Sequence, residues 1–123
     1  MANEITVTNG LRVEKGSLRV TRDVIATQHD LTGSRVQFSV QNIAVTATNI
    51  DTGDLTSAGY AMFRNLNATH FVDVGPLDGS NNLVSFMRLL PAERQGPIRL
   101  NNLNIAAIAN TASVDLEVVI FEA

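Results

Sequence analysis

The triplet Asp51-Thr52-Gly53 has the residue types of a catalytic acid motif. Two such carboxylates, brought together by a dimer axis, can share one proton and activate a water molecule, as in small all-β aspartic proteases. Asp54 follows the triplet where a small residue is usual, and no later apolar Gly-Arg-Asn/Asp segment exists. Asp and Gly are also standard turn residues. A β-turn is therefore the preferred interpretation, and a retropepsin-like protease through Asp51 is the alternative.

Metal and acid–base chemistry has few other candidates. Asp51 with Asp54, or Asp73 with Asp78, lacks the dense carboxylate spacing of a calcium loop. His29 and His70 are the only histidines. A lone histidine in a loop is usually solvated, although a trimer axis could gather copies of it around a metal. We predict no catalytic, cofactor-binding or metal-binding residue, and leave open a metal at a histidine in an oligomer.

Composition limits the function classes. The 123 residues suit one domain, and 45% hydrophobic with 17% charged residues is typical of a globular chain. The net charge is −3 and no Lys/Arg cluster occurs, which argues against direct binding to nucleic acid. Cysteine is absent, so disulfides and thiolate chemistry are excluded. No apolar run has membrane-spanning length, and residues 1–4 do not open a signal peptide, so we expect no membrane partner.

Strand patterns account for most of the chain. Residues 36–50 are predicted to form one long strand. Val36, Phe38 and Val40 share one parity and Ile43, Val45 and Ala47 the other, which predicts a bulge or bend at Gln41-Asn42. Strands are also predicted over residues 83–90, 97–100 and 105–109. In the last of these ranges the alanines make a helical turn the alternative. The last strand alternates most clearly. Its apolar face is formed by Val114, Leu116, Val118 and Ile120.

Residues 59–75 read as a central hairpin, because aromatic and β-branched runs flank a polar turn. Arg64, Asn65 and Asn67 are the candidate residues for tying down that turn. The sequence favours a structural corner over a functional rim.

The N-terminal segment is predicted to be an arm. Asn9-Gly10 is a turn signal, and the near-copies at residues 11–13 and 18–20 flank a Gly-containing turn. Residues 22–35 are polar and predict a connection. A hairpin this small is marginal alone, so it must dock on the domain or on a neighbouring subunit.

These patterns predict an all-β fold: an antiparallel β-sandwich or jelly roll with an N-terminal extended arm or hairpin. Residues 1–21 form the arm and residues 22–123 the sandwich, as one domain overall. Apolar residues on the arm and on the outward parity of the last strand are the interface candidates. They are Ile5, Val7, Leu11, Val13, Leu18, Val20, Val119 and Phe121.

Several stretches resemble one family, the small β-sandwich virion structural proteins of tailed bacteriophages. They are residues 6–8, 11–21, 37–50, 59–75, 89–93 and 105–117, which cover most of the chain in the family's order. The central stretch is the most specific, with Gly-Tyr, a basic-Asn-Leu core and an aromatic-Val pair before a Gly. Asn67 stands where Asp is usual, His70 where Asn is usual, and Ala92 where Gly is common.

The resemblance implies a structural role in a virion, of the capsid decoration (cement) or minor structural type, without enzymatic activity. The implied partners are the major capsid protein or other virion proteins, and further copies of this chain as a homo-oligomer, with a homotrimer expected. The implied location is the capsid surface, after synthesis in the host cytoplasm. A neck, tail or baseplate component is the alternative. A carbohydrate-binding module ranks lower, since Tyr60 is the only Tyr and Trp is absent.

Overall fold

The computed structural model describes residues 4–31, 33 and 35–122, which form ten β-strands and no helix. The predicted all-β class is therefore confirmed. Among these residues, no helical segment could cross a membrane. The strands are β1 (Ile5–Lys15), β2 (Leu18–His29), β3 (Val36–Ile43), β4 (Thr48–Asn49), β5 (Tyr60–Asn65), β6 (Val72–Gly75), β7 (Met87–Leu89), β8 (Arg94–Arg99), β9 (Ala106–Ala109) and β10 (Val114–Phe121).

Two four-stranded antiparallel sheets pack face to face and confirm the predicted sandwich. The first sheet has the order β3-β10-β5-β8 and the second β4-β9-β6-β7. The strand β10 lies between β3 and β5, and its predicted apolar face is fully buried. Across the core it shares one cluster with Phe63 of β5, Val72 and Val74 of β6, and Leu89 of β7.

The alanine-rich segment forms a strand, as predicted. Ala106, Ala107 and Ala109 of β9 are buried, and β9 pairs with β4 on one side and β6 on the other. Alanine prefers a helix in isolation. Hydrogen bonding on both edges of the strand and burial in the core override that preference.

The arm is longer than predicted. β1 and β2 pair as a separate hairpin that runs to His29, so the predicted connection over residues 22–35 is wrong for its first half. The Asn9-Gly10 turn is also wrong, because both residues lie within β1 at a register irregularity. The turn lies at Gly16, with φ 58°, between the two near-copies. Residues 1–3, 32, 34 and 123 of the predicted units lie outside the described residues.

The strand predicted over residues 36–50 ends at Ile43, and the bulge or bend predicted within it is absent. β3 pairs with β10 in unbroken register from Val36 opposite Phe121 to Ile43 opposite Val114. The apolar parity changes because Phe38 and its apolar neighbours point away from the core, whereas Ile43 points into it. The change in pattern therefore reflects apolar residues on both faces of a regular strand: on the outer face up to Val40, and on the inner face at Ile43.

The central stretch is not a hairpin. β5 lies in the first sheet and β6 in the second, so residues 66–71 carry the chain across the sandwich. Two later strands also differ in extent: the strand predicted over residues 83–90 is confined to Met87–Leu89, and the one predicted at 97–100 is Arg94–Arg99. A run of strand-forming residues can be longer or shorter than the strand itself, because the strand extends only as far as a neighbouring strand pairs with it.

Candidate assembly surfaces

The arm, defined as Ile5–His29, has one apolar and one polar face. Directly paired residues of an antiparallel ladder share a face, and β1 alternates without interruption because the extra residue of the irregularity lies in β2. One face therefore collects most of the apolar side chains of both strands, and we call it the arm face. It comprises Ile5, Val7, Leu11, Val13, Leu18, Val20 and Ile25.

The distal part of the arm, residues 8–28, is exposed at every position. On the arm face, Leu11 and Leu18 are each 57% exposed. Val24 is exposed on the opposite face, where it lies beside Gly10: a Cβ at Gly10 would meet Val24 Cγ2 at 2.8 Å. The distal arm therefore presents a mainly apolar face and a mainly polar face to solvent.

The base of the arm is attached to the sandwich. Ile5 and Val7 are buried in a small cluster with Tyr60, to which Leu31 and Phe121 add. His29 Nε2 lies 2.9 Å from Tyr60 Oη and 2.9 Å from Thr27 Oγ1. The guanidinium of Arg99 covers the Tyr60 ring at 4.5 Å from its centroid. Apolar burial and polar contacts thus fix the point from which the arm leaves the sandwich.

The outer face of the first sheet is a second apolar surface. We define it by the outward side chains of three neighbouring strands: Val36, Phe38 and Val40 of β3, Val119 and Phe121 of β10, and Tyr60 and Met62 of β5. The arm base covers Tyr60 and part of Phe121. The β3 residues stay open, with Phe38 68% exposed. A large exposed apolar patch of this kind is typical of an interaction site.

The predicted interface residues divide into three groups. Ile5 and Val7 are buried against their own sandwich, and the arm residues Leu11, Val13, Leu18 and Val20 are exposed. Val119 and Phe121 are half-buried on the outer face. Sequence reasoning missed Val36, Phe38 and Val40 as surface residues, because their alternation has the form of a core strand. The polar residues that alternate with them (Gln37, Ser39 and Gln41) fit either face, so no signal in the sequence separates the two.

The predicted corner depends on two asparagines. Asn65 is fully buried, and its Nδ2 donates to the carbonyl oxygens of His70 (2.8 Å), Leu89 (3.2 Å) and Leu90 (3.3 Å). Its Oδ1 accepts from the N–H of Asn67 at 2.9 Å. These bonds hold the crossing segment against the end of the second sheet.

Asn67 continues the same network toward the following strand. Its Oδ1 accepts from the N–H groups of Thr69 and His70, both at 2.8 Å. His70 Nδ1 in turn lies 2.7 Å from Thr111 Oγ1. Arg64, the third residue predicted for the corner, is exposed on the outer side of β5.

The candidate catalytic triplet forms a turn. Asp51 Oδ1 accepts from the N–H of Gly53 at 2.8 Å, and Gly53 has φ 58°. The main chain of Asp51 is held by Gln41, whose Oε1 accepts from its N–H and whose Nε2 donates to its carbonyl, each at 2.8 Å. Within the described residues, no cluster of three or more His, Asp or Glu side chains could hold a metal ion.

One buried carboxylate was missed at the sequence level. Glu122 is 5% exposed, and its Oε2 accepts from Thr56 Oγ1 (3.0 Å) and Ser57 Oγ (3.2 Å). It also fills the space beside Gly33, where a Cβ would approach its side chain to 2.7 Å. Glu122 thereby connects the end of β10 to two loops, and its neighbours in sequence give no hint of this.

Comparison with known proteins finds no match: neither a family model, a curated protein nor a solved structure is similar to this chain.

Proposed function

We propose that this chain is a bacteriophage virion structural protein, most concretely a capsid decoration (cement) protein that binds across major capsid protein subunits. The observation that carries the proposal is the pair of uncovered apolar surfaces, the arm face and the outer face, on one small sandwich. The resemblance of residues 59–75 and the flanking stretches to small virion proteins gives the biological setting. Both point to a protein that works by assembly.

The mechanism follows from the division between sandwich and arm. The sandwich supplies the folded body, because one cluster of buried apolar side chains joins its two sheets. The arm supplies reach and apolar contact area, and it is anchored by Ile5 and Val7. A homotrimer on the capsid lattice would present three arms to neighbouring subunits. Burying their apolar surface would strengthen the shell against internal genome pressure.

Copy number in purified virions tests the proposal. A decoration protein is expected in a fixed ratio to the major capsid protein, by quantitative mass spectrometry, and as density on the outside of the head in a reconstructed particle. A ratio lower by about an order of magnitude, with density at the neck, tail or baseplate, would favour that alternative. Absence of the chain from purified virions would overturn both.

A second experiment addresses the protease alternative. The Asp51 carboxylate accepts a hydrogen bond inside its own turn, which supports a structural role. Purified wild-type protein is therefore expected to cleave no peptide library at acidic pH. Cleavage that disappears in Asp51→Asn would favour the retropepsin-like reading over the structural one.

A further inference from the structure

The distal arm lacks the contacts that stabilise a hairpin. A two-stranded ribbon is marginal in water unless a face of it packs on something else. Only the base of this ribbon does so, through Ile5 and Val7, while residues 8–28 are exposed. Leu11, Leu18 and Ile25 of the arm face are each more than half exposed. The arm face is therefore an apolar surface that the described part of this chain does not itself cover.

The outer face likewise has apolar side chains that no described part of this chain covers. Val36, Phe38 and Val40 lie on β3, an edge strand of the first sheet, and each is more than half exposed. In register they adjoin Val119 and Phe121 of β10, so the apolar surface continues inward from the edge. It is bounded by the polar positions Asn42 and Asp115, which hydrogen bond to each other at 3.1 Å.

The two surfaces already fit each other within one chain. Ile5 and Val7 belong to the arm face, and they pack on Tyr60 and Phe121 of the outer face. A groove lined by Ile5, Leu31, Val36 and Phe121 joins this covered end to the open end. The chain's own distal arm leaves the open end uncovered, since residues 8–28 and Phe38 are exposed together.

We infer that the arm face of one copy covers the open outer face of a second copy, at Val36, Phe38 and Val40. This inference deepens the proposed function by naming the partner of the arm, but it depends on the two surfaces alone. If the two copies exchange arms reciprocally, they form a two-fold dimer; if they do not, the contact is heterologous and closes into a ring when the rotation between copies permits. A trimer is the ring that the proposed function uses.

The length of the arm agrees with this pairing. From Asn9 to Lys15 the arm spans six residue steps, about 20 Å at about 3.3 Å per residue, which exceeds the roughly 13 Å from Val36 to Val40. The arm face carries Arg22 beside Leu11 and Lys15 beside Leu18. The far end of the outer face carries Glu117 and Asp115 on β10, with Arg64 paired to Glu117. Arg94 of β8 pairs with Arg64 and lies on the same face, so this region holds two acidic and two basic groups, and charge does not decide the pairing.

Matched acidic substitutions test the inference on purified protein with no virion component present. Val13→Glu changes the arm face, and Val24→Glu makes the same change on the opposite face, where the side chain is more exposed. Phe38→Glu changes the outer face, and Phe86→Glu alters a similarly exposed phenylalanine next to the second sheet. Sedimentation velocity over a concentration series measures association, and circular dichroism checks folding.

Wild type, Val24→Glu and Phe86→Glu are expected to associate alike, whereas Val13→Glu and Phe38→Glu are expected to raise the dissociation constant at least tenfold. A wild type that stays monomeric at all concentrations would overturn the inference. So would association that ignores Val13→Glu and Phe38→Glu. A monomer whose capsid binding is lost in Val13→Glu would show that the arm's partner is the capsid protein, which leaves the proposed function standing and this inference wrong.

Engineered cysteines identify the paired surfaces directly, because the natural chain has none. Val13→Cys protein is mixed with Phe38→Cys protein and treated with a short bis-maleimide. A covalent dimer of the two different variants is expected, with much less product when Phe38→Cys is replaced by the exposed loop variant Ala112→Cys. Equal yields with both partners would reject the pairing even if the protein oligomerises.

Discussion

The neighbouring strands β3 and β10 use the two faces of one sheet differently: β10 carries apolar side chains on both faces, whereas β3 carries most of its own on the outer face. In β10 Leu116 and its apolar partners point into the sandwich and are fully buried. In β3 Phe38 and its apolar partners point outward and are exposed. The two strands pair in unbroken register, so their difference is one of side-chain type at equivalent positions.

The difference shows that the part of the chain packed against each face determines whether polar or apolar side chains suit that face. The inner side of β3 faces the loop of residues 51–53 for much of its length. Ser39 Oγ accepts from the Nε2 groups of Gln37 (3.2 Å) and Gln41 (3.0 Å), and Gln41 binds the main chain of Asp51. A polar loop packed on a strand needs hydrogen-bonding partners, and the polar side chains of β3 supply them. The apolar side chains of β3 therefore lie on the outer face, where another molecule can contact them.

Truncating one phenylalanine on each face should break the comparison most clearly. Phe63→Ala, at a residue with 0% exposure, is expected to lower the free energy of unfolding by about 3–5 kcal/mol, through lost burial and a cavity. Phe38→Ala is expected to cost less than about 0.5 kcal/mol in the monomer, as for other exposed positions. Urea unfolding at low protein concentration measures both.

Repeating the unfolding of Phe38→Ala and Phe63→Ala at several protein concentrations tests the comparison further. If Phe38 contacts a second copy, its stabilising effect should grow as concentration rises, because association stabilises the folded state by mass action. The Phe63 effect should stay constant. Equal costs at low concentration would contradict the assignment of the two faces.

Two buried or half-buried amides give a smaller contrast. Asn65→Ala removes, at a fully buried position, the donor to the carbonyl oxygens of His70, Leu89 and Leu90 and the acceptor of the Asn67 N–H, and is expected to cost about 2–4 kcal/mol. Gln41→Ala is expected to cost about 1 kcal/mol, since Asp51 is exposed and water can replace the lost bonds. Thermal unfolding ranks the two, and a greater loss for Gln41→Ala would refute the role given to Asn65.

Much of the fold could be predicted because local patterns and burial agree. β10 alternates cleanly and is central, so its core residues were readable from the sequence alone. The segment 59–75 failed as a hairpin for a specific reason. Turn-forming residues show that the chain bends there, but only the strand pairing shows that β6 joins the other sheet instead of pairing with β5.

The candidate surfaces were partly readable for the same reason. The arm residues stood out because a short hairpin lacks a core of its own. The outer face did not, since Val36, Phe38 and Val40 alternate as core residues do. Recognising them as surface residues requires knowing that Gln37, Ser39 and Gln41 meet a polar loop distant in sequence.

The smallest expected effect lies at a solvated polar loop on the other side of the molecule. Asp78 Oδ1 accepts from the N–H groups of Asn82 (2.9 Å) and Ser80 (2.8 Å), and these bonds lower the pKa of its carboxyl group below the usual 3.8. A lowered folded-state pKa means that the stabilisation is present above about pH 3.8 and is lost as pH falls through the folded value.

Asp78→Ala is therefore expected to speed amide exchange at Ser80 and Asn82 at neutral pH, with little change elsewhere. Asp78→Asn keeps an acceptor oxygen without titrating, so it should preserve much of that protection and remove its loss at acid pH. Exchange at both amides that is unchanged in Asp78→Ala would show that the main-chain bond from Asn81 N–H to the Asp78 carbonyl holds the loop without the carboxylate.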